Sequence, residues 1–335
     1  MKMKRTVLVI MAMLMMTATM AFAGGDQEAA ATDGSEPLKI AVVMPSAITD
    51  VAFSQSMWDA LASVQEEMGG EDALQLAYSE NMFNVPDAGS ALRDYAAQGF
   101  DIVVGHGSQY GSLIQEIAPD FPEVVFAWGT DVNTYGLDNV YAYTAAAEQG
   151  GYVNGVLAAY MAKGAKVGVT GPIEVGDAKT YIDGFVNGVK SVDPGMTISK
   201  TWTGSFSDVA LMTAAAQTHV ANGARALTGS SQSVVGSIGV AKEAGDVYWF
   251  GTQAKQTKLA PELVVCSQVY DWTGMLKEII ANRAAGKLGG DAYVLTLKNG
   301  GLKMAFNSGI KLPEGAKAAA DAAIKGIIDG SINAK

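Results

Sequence analysis

Cysteine and histidine are almost missing from this chain. Among 335 residues there is one Cys, Cys266, and two His, His106 and His219. A single Cys excludes an intramolecular disulfide, and together with two His it falls short of a tetrahedral zinc set. Cys266 lies in the apolar run LVVCSQV and reads as a small buried hydrophobe, not a nucleophile. His219, in QTHVANGA, reads as a packing or surface residue of a helix. A nucleophile–His–acid triad would have to use His106, and no G-x-S-x-G pentapeptide accompanies it. A phosphate loop ending in Gly-Lys-Ser/Thr is absent, as is a G-x-G-x-x-G at the first strand–helix turn, which reads PSAITD. Basic clusters are absent too: 23 Lys and Arg face 34 Asp and Glu, a net charge of −11. That balance argues against nucleic acid and anionic lipid as partners and leaves small neutral ligands open. The sequence thus points away from enzymes, metals and cofactors and towards binding.

What is present begins with an export signal. MKMKR is a basic start, TVLVIMAMLMMTATM an apolar stretch, and AFA (Ala21–Ala23) a small-x-small cleavage pattern. Residues 1–23 are therefore expected to be a cleaved signal peptide. No Cys stands near the cleavage point to carry a lipid, so a freely diffusing periplasmic protein is expected. Residues 24–37, GGDQEAAATDGSEP, hold no large apolar side chain and read as a flexible tether. Beyond it, no apolar run is long enough to cross a bilayer. The remaining chain exceeds the size at which a single core stops growing, so two lobes are expected.

Short β-branched or aromatic runs alternate with amphipathic stretches, the pattern of parallel α/β sheets. The first series of strands reads KIAVVMPS, LQLAYSE, DIVVGHG, VVFAWGT and VYAYTA. The second restarts near residue 165 with AKVGVTGP, TISKTWTGS, ARALTGSS, DVYWFGT and ELVVCSQVY. The fold class expected is α/β, two doubly wound lobes joined by a hinge of several crossovers. Lobe 1 takes 38–147 plus 272–335 and lobe 2 takes 148–271. In this division YVLTLKNGGLKMAFN (293–307) forms a hairpin turning at Asn299–Gly301 and returns to lobe 1.

Ligands of such sheets bind at the strands' carboxyl ends. There the chain carries turns rich in Gly, Ser and Thr: PSAITDVAF, GHGSQY, AWGTD, GPIEVGD, TGSFSD, TGSSQS and FGTQAKQ. Residues expected in the cleft between the lobes are Asp50, Phe53, Ser54, Gln55, His106, Gly107, Trp128 and Asp131 from the first lobe. From the second come Glu174, Asp177, Phe206, Ser231, Gln232, Gln253 and Tyr270. For a lone aromatic, packing inside a lobe is the competing reading; for His106, facing the cleft and facing the core both stay open.

In order and spacing, several segments resemble the BMP (basic membrane protein) family of ABC-transporter substrate-binding proteins. They are D-x-x-F-x-Q at Asp50–Gln55, YAAQGFDIVVGHG, IAPDFPEVVFA, GGYVNGVLAAYMAKGAKVGVTG, YIDGFVNGV and GSFSD. The resemblance covers nearly the whole mature chain and implies the type I periplasmic-binding-protein fold. It also implies a purine nucleoside as ligand, with Phe53 and Phe206 sandwiching the base and Asp50 receiving its N–H groups. The partners implied are the permease subunits of an ABC importer, with a monomer as the default state.

Four positions depart from the family pattern. Ser54 follows the Phe where Asn is usual, Thr130 stands where an Asp closes the strand, and Gln253 replaces an acid of G-x-D-x-D-Q. Tyr270 stands where a Lys often occurs. Two charged groups associated with the sugar are thus missing, which turns the expectation towards a free base or another flat heterocycle. A ligand-presenting receptor of the same fold is the alternative function, which the sequence does not separate from transport.

Overall fold

The computed structural model describes residues 36–335; the expected signal peptide and nearly all of the expected tether lie outside the described residues. The first lobe is built in chain order from β1 (Leu38–Val43), α1 (Phe53–Met68), β2 (Leu74–Ser79), α2 (Val85–Ala97), β3 (Ile102–His106), α3 (Gly111–Ile117), β4 (Val125–Gly129) and β5 (Val140–Ala145). The second follows with α4 (Ala147–Ala162), β6 (Lys166–Gly171), α5 (Gly176–Val192), β7 (Ile198–Trp202), α6 (Val209–Ala221) and β8 (Ala224–Gly229). It continues through α7 (Val235–Ala244), β9 (Tyr248–Gly251) and β10 (Val264–Tyr270). The chain then runs through α8 (Thr273–Ala284), β11 (Ala292–Leu295), β12 (Leu302–Phe306) and α9 (Ala316–Asp329).

Two six-stranded sheets result, ordered β2-β1-β3-β4-β5-β11 and β7-β6-β8-β9-β10-β12. Every pairing is parallel except β10 with β12. Central strands such as IVVGH and VFAWG are buried throughout, as sheets covered on both faces require. In each sheet the order reverses beside the first strand of its series, between β1 and β3 and between β6 and β8. Those reversals are where doubly wound sheets open a crevice. This is the type I periplasmic-binding-protein fold with the two α/β lobes expected.

The hairpin expected over 293–307 does not form. β11 lies parallel to β5 at the edge of the first sheet, whereas β12 lies antiparallel to β10 at the edge of the second. Between them Asn299 Oδ1 accepts from the Thr296 and Gly301 N–H groups, so the turn signal is real but bridges two sheets. Each short segment covers a sheet edge that would otherwise present unpaired backbone groups. α8 packs on α1, but α9 packs on α4, so 302–335 joins the second sheet instead of returning to the first lobe. The chain crosses between sheets after β5, after β10 and after β11.

Helices α4 and α5 pack backbone against backbone, and glycines permit it. A Cβ on Gly151 would sit 2.2 Å from the Tyr181 carbonyl oxygen, and one on Gly188 2.0 Å from that of Tyr152. The repeated four-residue spacing, Gly151 and Gly155 against Gly184 and Gly188, lets the two backbones touch. Asn154, fully buried on α4, donates to Tyr181 and to the Gly251 carbonyl at 2.9 Å each, tying this pair to the end of β9.

Candidate functional site: the cavity between the sheets

A cavity of about 230 Å³ lies between the carboxyl ends of the two sheets. Its first-lobe wall comes from the turns after β1, β2, β3 and β4: Pro45, Phe53, Phe83, Val85, Gly107, Ser108, Gln109 and Thr130. Its second-lobe wall comes from the turns after β6 to β9: Val175, Gly176, Asp177, Phe206, Ser230, Ser231, Gln232 and Gln253. Small-molecule sites commonly enclose about 300–1,000 Å³, so this one suits a compact solute.

Phe53, the first residue of α1, carries the most developed piece of the first wall. Its ring stacks on the His106 imidazole, with centroids 3.8 Å apart and planes 10° from parallel. His106 Nε2 lies 3.0 Å from the Phe53 carbonyl oxygen, and Nδ1 lies 2.8 Å from the Tyr143 hydroxyl. A carbonyl only accepts, so the proton sits on Nε2 and Tyr143 donates to Nδ1. Burial pushes the His106 pKa down to about 3, which keeps the ring neutral at physiological pH. Trp272 closes the pile edge-on, 5.7 Å from His106 and 5.1 Å from Tyr143, and donates to Ser56 Oγ at 3.0 Å. Phe53 is thus held from behind by rings that are themselves fixed, while it also lines the cavity.

Phe206 lines the same cavity from the other lobe. Its position is set through its carbonyl, which accepts from Ser231 Oγ at 2.9 Å and Ser233 Oγ at 3.3 Å. Asp177, in the first turn of α5, accepts from the Gln253 amide at 3.2 Å and the Tyr270 hydroxyl at 3.1 Å. Desolvation raises its pKa against the lowering effect of those two bonds. Gln253 has the left-handed backbone (φ 71°), uncommon for a residue with a side chain, and is 96 % buried. Three buried atoms of this wall, Ser230 Oγ, Gln232 Oε1 and Gln253 Oε1, have no hydrogen-bond partner among the described residues.

The structure therefore gathers Phe53, Gly107, Asp177, Phe206, Ser231, Gln232 and Gln253 around one cavity. It does not bring the other expected residues there. Asp50 is the main correction. Its carboxylate accepts from the backbone N–H groups of Ala52, Ser54 and Gln55 at 2.8–3.1 Å, so it caps the start of α1 and does not line the cavity. Desolvation raises its pKa, and those three bonds oppose the rise. Ser54 is fully buried and accepts from the Ser46 N–H, and Gln55 accepts from the Val51 N–H. His106 is fully buried behind Phe53 and not in the cleft. Trp128 is buried against Tyr135 and donates to the Asn133 carbonyl, while Asp131 is exposed and caps the turn that follows it. Glu174 is exposed and does not line the cavity, although the next residue, Val175, does. Tyr270 is buried and reaches the site only through Asp177. Gln55 and Tyr270 instead border a second cavity of about 610 Å³ that Gln253 also touches.

Phe83 and Val85 are the contributors that the sequence reading passed over. They follow β2, whose turn NMFNVPD lacks the Gly and Ser that mark the others. Ser108, Gln109, Val175, Gly176 and Ser230 lie inside turns that had been recognised, one or two positions from the residues expected. Of the other residues held in reserve, Cys266 is buried with its thiol pKa pushed up by desolvation, and His219 is buried beneath Gly168.

A sequence profile for the Bmp family, described as ABC transporter substrate-binding protein PnrA-like, matches residues 38–332. The chain belongs to this family. Bmp proteins are solute-binding proteins and not enzymes, and ABC solute-binding proteins work with permease and ATPase subunits. Among curated relatives, the purine-binding protein of Brucella abortus is 27% identical over 242 residues, 72% of this chain and 67% of that one. The ABC transporter nucleoside-binding protein BmpA of Lactococcus lactis is 26% identical over 98% of this chain and 99% of its own length. Two solved solute-binding proteins of ABC transporter systems share the fold. The one from Aeropyrum pernix superposes with a TM-score of 0.77 over 89% of this chain and 93% of its own, at 19% identity. The one from Conexibacter woesei gives 0.71 over 88% and 98%, at 24% identity. Among the described residues of this Bmp protein no helix is long and apolar enough to cross a membrane.

Proposed function

We propose that this Bmp protein captures a small flat solute between its lobes, outside the cytoplasm, and delivers it to an ABC importer. The observation that carries the reading is that Phe53 and Phe206, from different sheets, border the same compact cavity. Offset stacking on an aromatic adds about 0.5–1.5 kcal/mol beyond area burial, and a ring on each side can contribute it twice. A solute touching both walls binds the closed arrangement better than the open one. It therefore shifts the population towards closure, which is the state a permease can read. The names of the purine-binding and nucleoside-binding relatives support a heterocyclic ligand. Gln253 and Tyr270, standing where the family pattern has charged groups, support a free base or related ring over a ligand gripped by its sugar.

The test is mass spectrometry of small molecules released when the purified protein is denatured, followed by thermal unfolding with each candidate. The expected result is an ultraviolet-absorbing ring compound that raises the melting temperature, by about 2.7 kcal/mol of stabilisation at one hundred times its Kd. Recovery of only an aliphatic or polyanionic solute contradicts the reading.

A further inference from the structure

The two walls of the cavity differ in what they ask of a ligand. The second-lobe wall carries the carboxylate of Asp177, the amides of Gln232 and Gln253, and serine hydroxyls that accept as well as donate. The Gln253 amide nitrogen is committed to Asp177, which leaves Oε1 as its free end, buried and unpartnered. Gln232 Oε1 and Ser230 Oγ are buried without partners as well. Both side chains that bond Asp177 donate to the same oxygen, Oδ2, and the backbone N–H groups of Asp177 and Ala178 also bond the carboxyl. Among the described residues no Lys, Arg or His side chain borders the cavity, and Asp177 is the one ionisable carboxyl there. Buried acceptors without donors are unfavourable until something supplies N–H or O–H groups, and a half-buried carboxylate with no cation beside it repels a second anion.

Resting on the flat-solute reading, we infer that the ligand is an uncharged or cationic ring bearing exocyclic amino or ring N–H groups, selected by acceptors clustered around Asp177. Asp177 is then a specificity-determining residue: stacking on Phe53 holds any flat ring, and the second lobe reads its donors. Tyr270 and Gln253 act as positioning residues that fix the carboxylate's direction. Anionic rings are rejected because no cation lines the cavity to compensate them.

Calorimetric titration with rings of one shape tests this. The probes are purine, adenine, 2,6-diaminopurine and purine-6-carboxylate. The wild-type protein is expected to gain roughly tenfold in affinity with each amino group, and to show no binding of the carboxylate at concentrations where adenine saturates. Asp177→Asn is expected to compress the amino-group gradient to less than about threefold per group and to admit the carboxylate weakly. Gln232→Met removes a buried acceptor that bonds nothing within the described residues, so it does not lower the thermal unfolding temperature of the free protein and shrinks the gradient by a smaller factor. Equal affinity of the wild-type protein for purine and 2,6-diaminopurine, or carboxylate binding as tight as adenine, overturns the inference and leaves the flat-solute reading standing. Failure of every ring to bind overturns both together.

Discussion

The two walls of the interlobe cavity are built on opposite plans. In the first lobe the rings of Phe53 and Phe83 line the cavity beside the side chains of Ser108, Gln109 and Thr130, and the polar groups behind Phe53 are paired: His106 with Phe53 and Tyr143, Trp272 with Ser56, Asp50 with three backbone N–H groups. In the second lobe the lining residues Ser230, Gln232 and Gln253 each hold a buried polar atom with no partner among the described residues. A finished wall can hold its shape without ligand, whereas an unfinished one is completed by ligand. On the proposed reading, stacking affinity belongs to the first lobe and discrimination to the second, and closure of the second lobe onto the ligand is the step that completes the hydrogen bonds.

Breaking the first wall should have the largest effect. Phe53→Ala removes the stacking face and leaves His106 facing a void. Loss of binding by more than about tenfold for every ring, regardless of its substituents, is expected by calorimetry. A loss confined to rings with amino groups would place discrimination in the wrong lobe.

His106 gives the first wall a pH signature. Its folded pKa, about 3, lies below the ordinary value of 6.5, so the unfolded chain takes up the proton first. Its share of stability is whole above about pH 6.5 and is lost as the pH falls through that value towards 3, at about 1.4 kcal/mol per pH unit. His219 shifts in the same direction and the carboxyls of Asp50 and Asp177 in the other, so the comparison needed is wild type against His106→Gln. Chemical denaturation between pH 4 and 7 should show a shallower decline in the variant. Parallel curves would mean that His106 is not held neutral.

Asp50→Ala sharpens the contrast by separating a cap from a contact. Losing a helix-start acceptor costs about 1 kcal/mol, visible as a lower denaturation midpoint. Affinity of the folded variant should stay within about twofold of wild type. A tenfold loss would return Asp50 to the ligand's first wall. The smallest effect is expected of Tyr270→Phe, which removes one of two donors to Asp177. A change of about two- to fivefold in affinity for adenine, with little change for unsubstituted purine, is expected from calorimetry.

Much of this architecture was legible in the sequence because its signals are local. Strands such as IVVGH are short runs of β-branched residues ended by Gly, and the restart near Lys166 marks the second sheet. The β11–β12 segment was misread because an Asn-Gly-Gly turn reports only the reversal of the chain. Which edges the two flanking segments cover is decided by β5 and β10, far away in sequence. At the site, strand-end turns point to a shared crevice, the resemblance to the BMP family singles out Phe53 and Phe206 within it, and both line the cavity. Asp50 was misassigned because an acid three residues before the start of a helix serves equally well as a cap and as a ligand acceptor. Only the positions of the Ala52, Ser54 and Gln55 N–H groups tell the two apart. His106 and Trp128 share this ambiguity, since a strand-end side chain can point to either face and these two are drawn into aromatic packing. Phe83 left no trace beyond an apolar residue before a proline.

The most direct test of two dissimilar walls closing on one flat ligand is a crystal structure of the protein with the ring compound recovered from it. The account predicts a ring lying against the cavity face of Phe53, opposite His106, with its N–H groups within hydrogen-bond distance of Asp177 and Gln253. A ligand seated in the larger cavity beyond Gln253, with the face of Phe53 left bare, would contradict it.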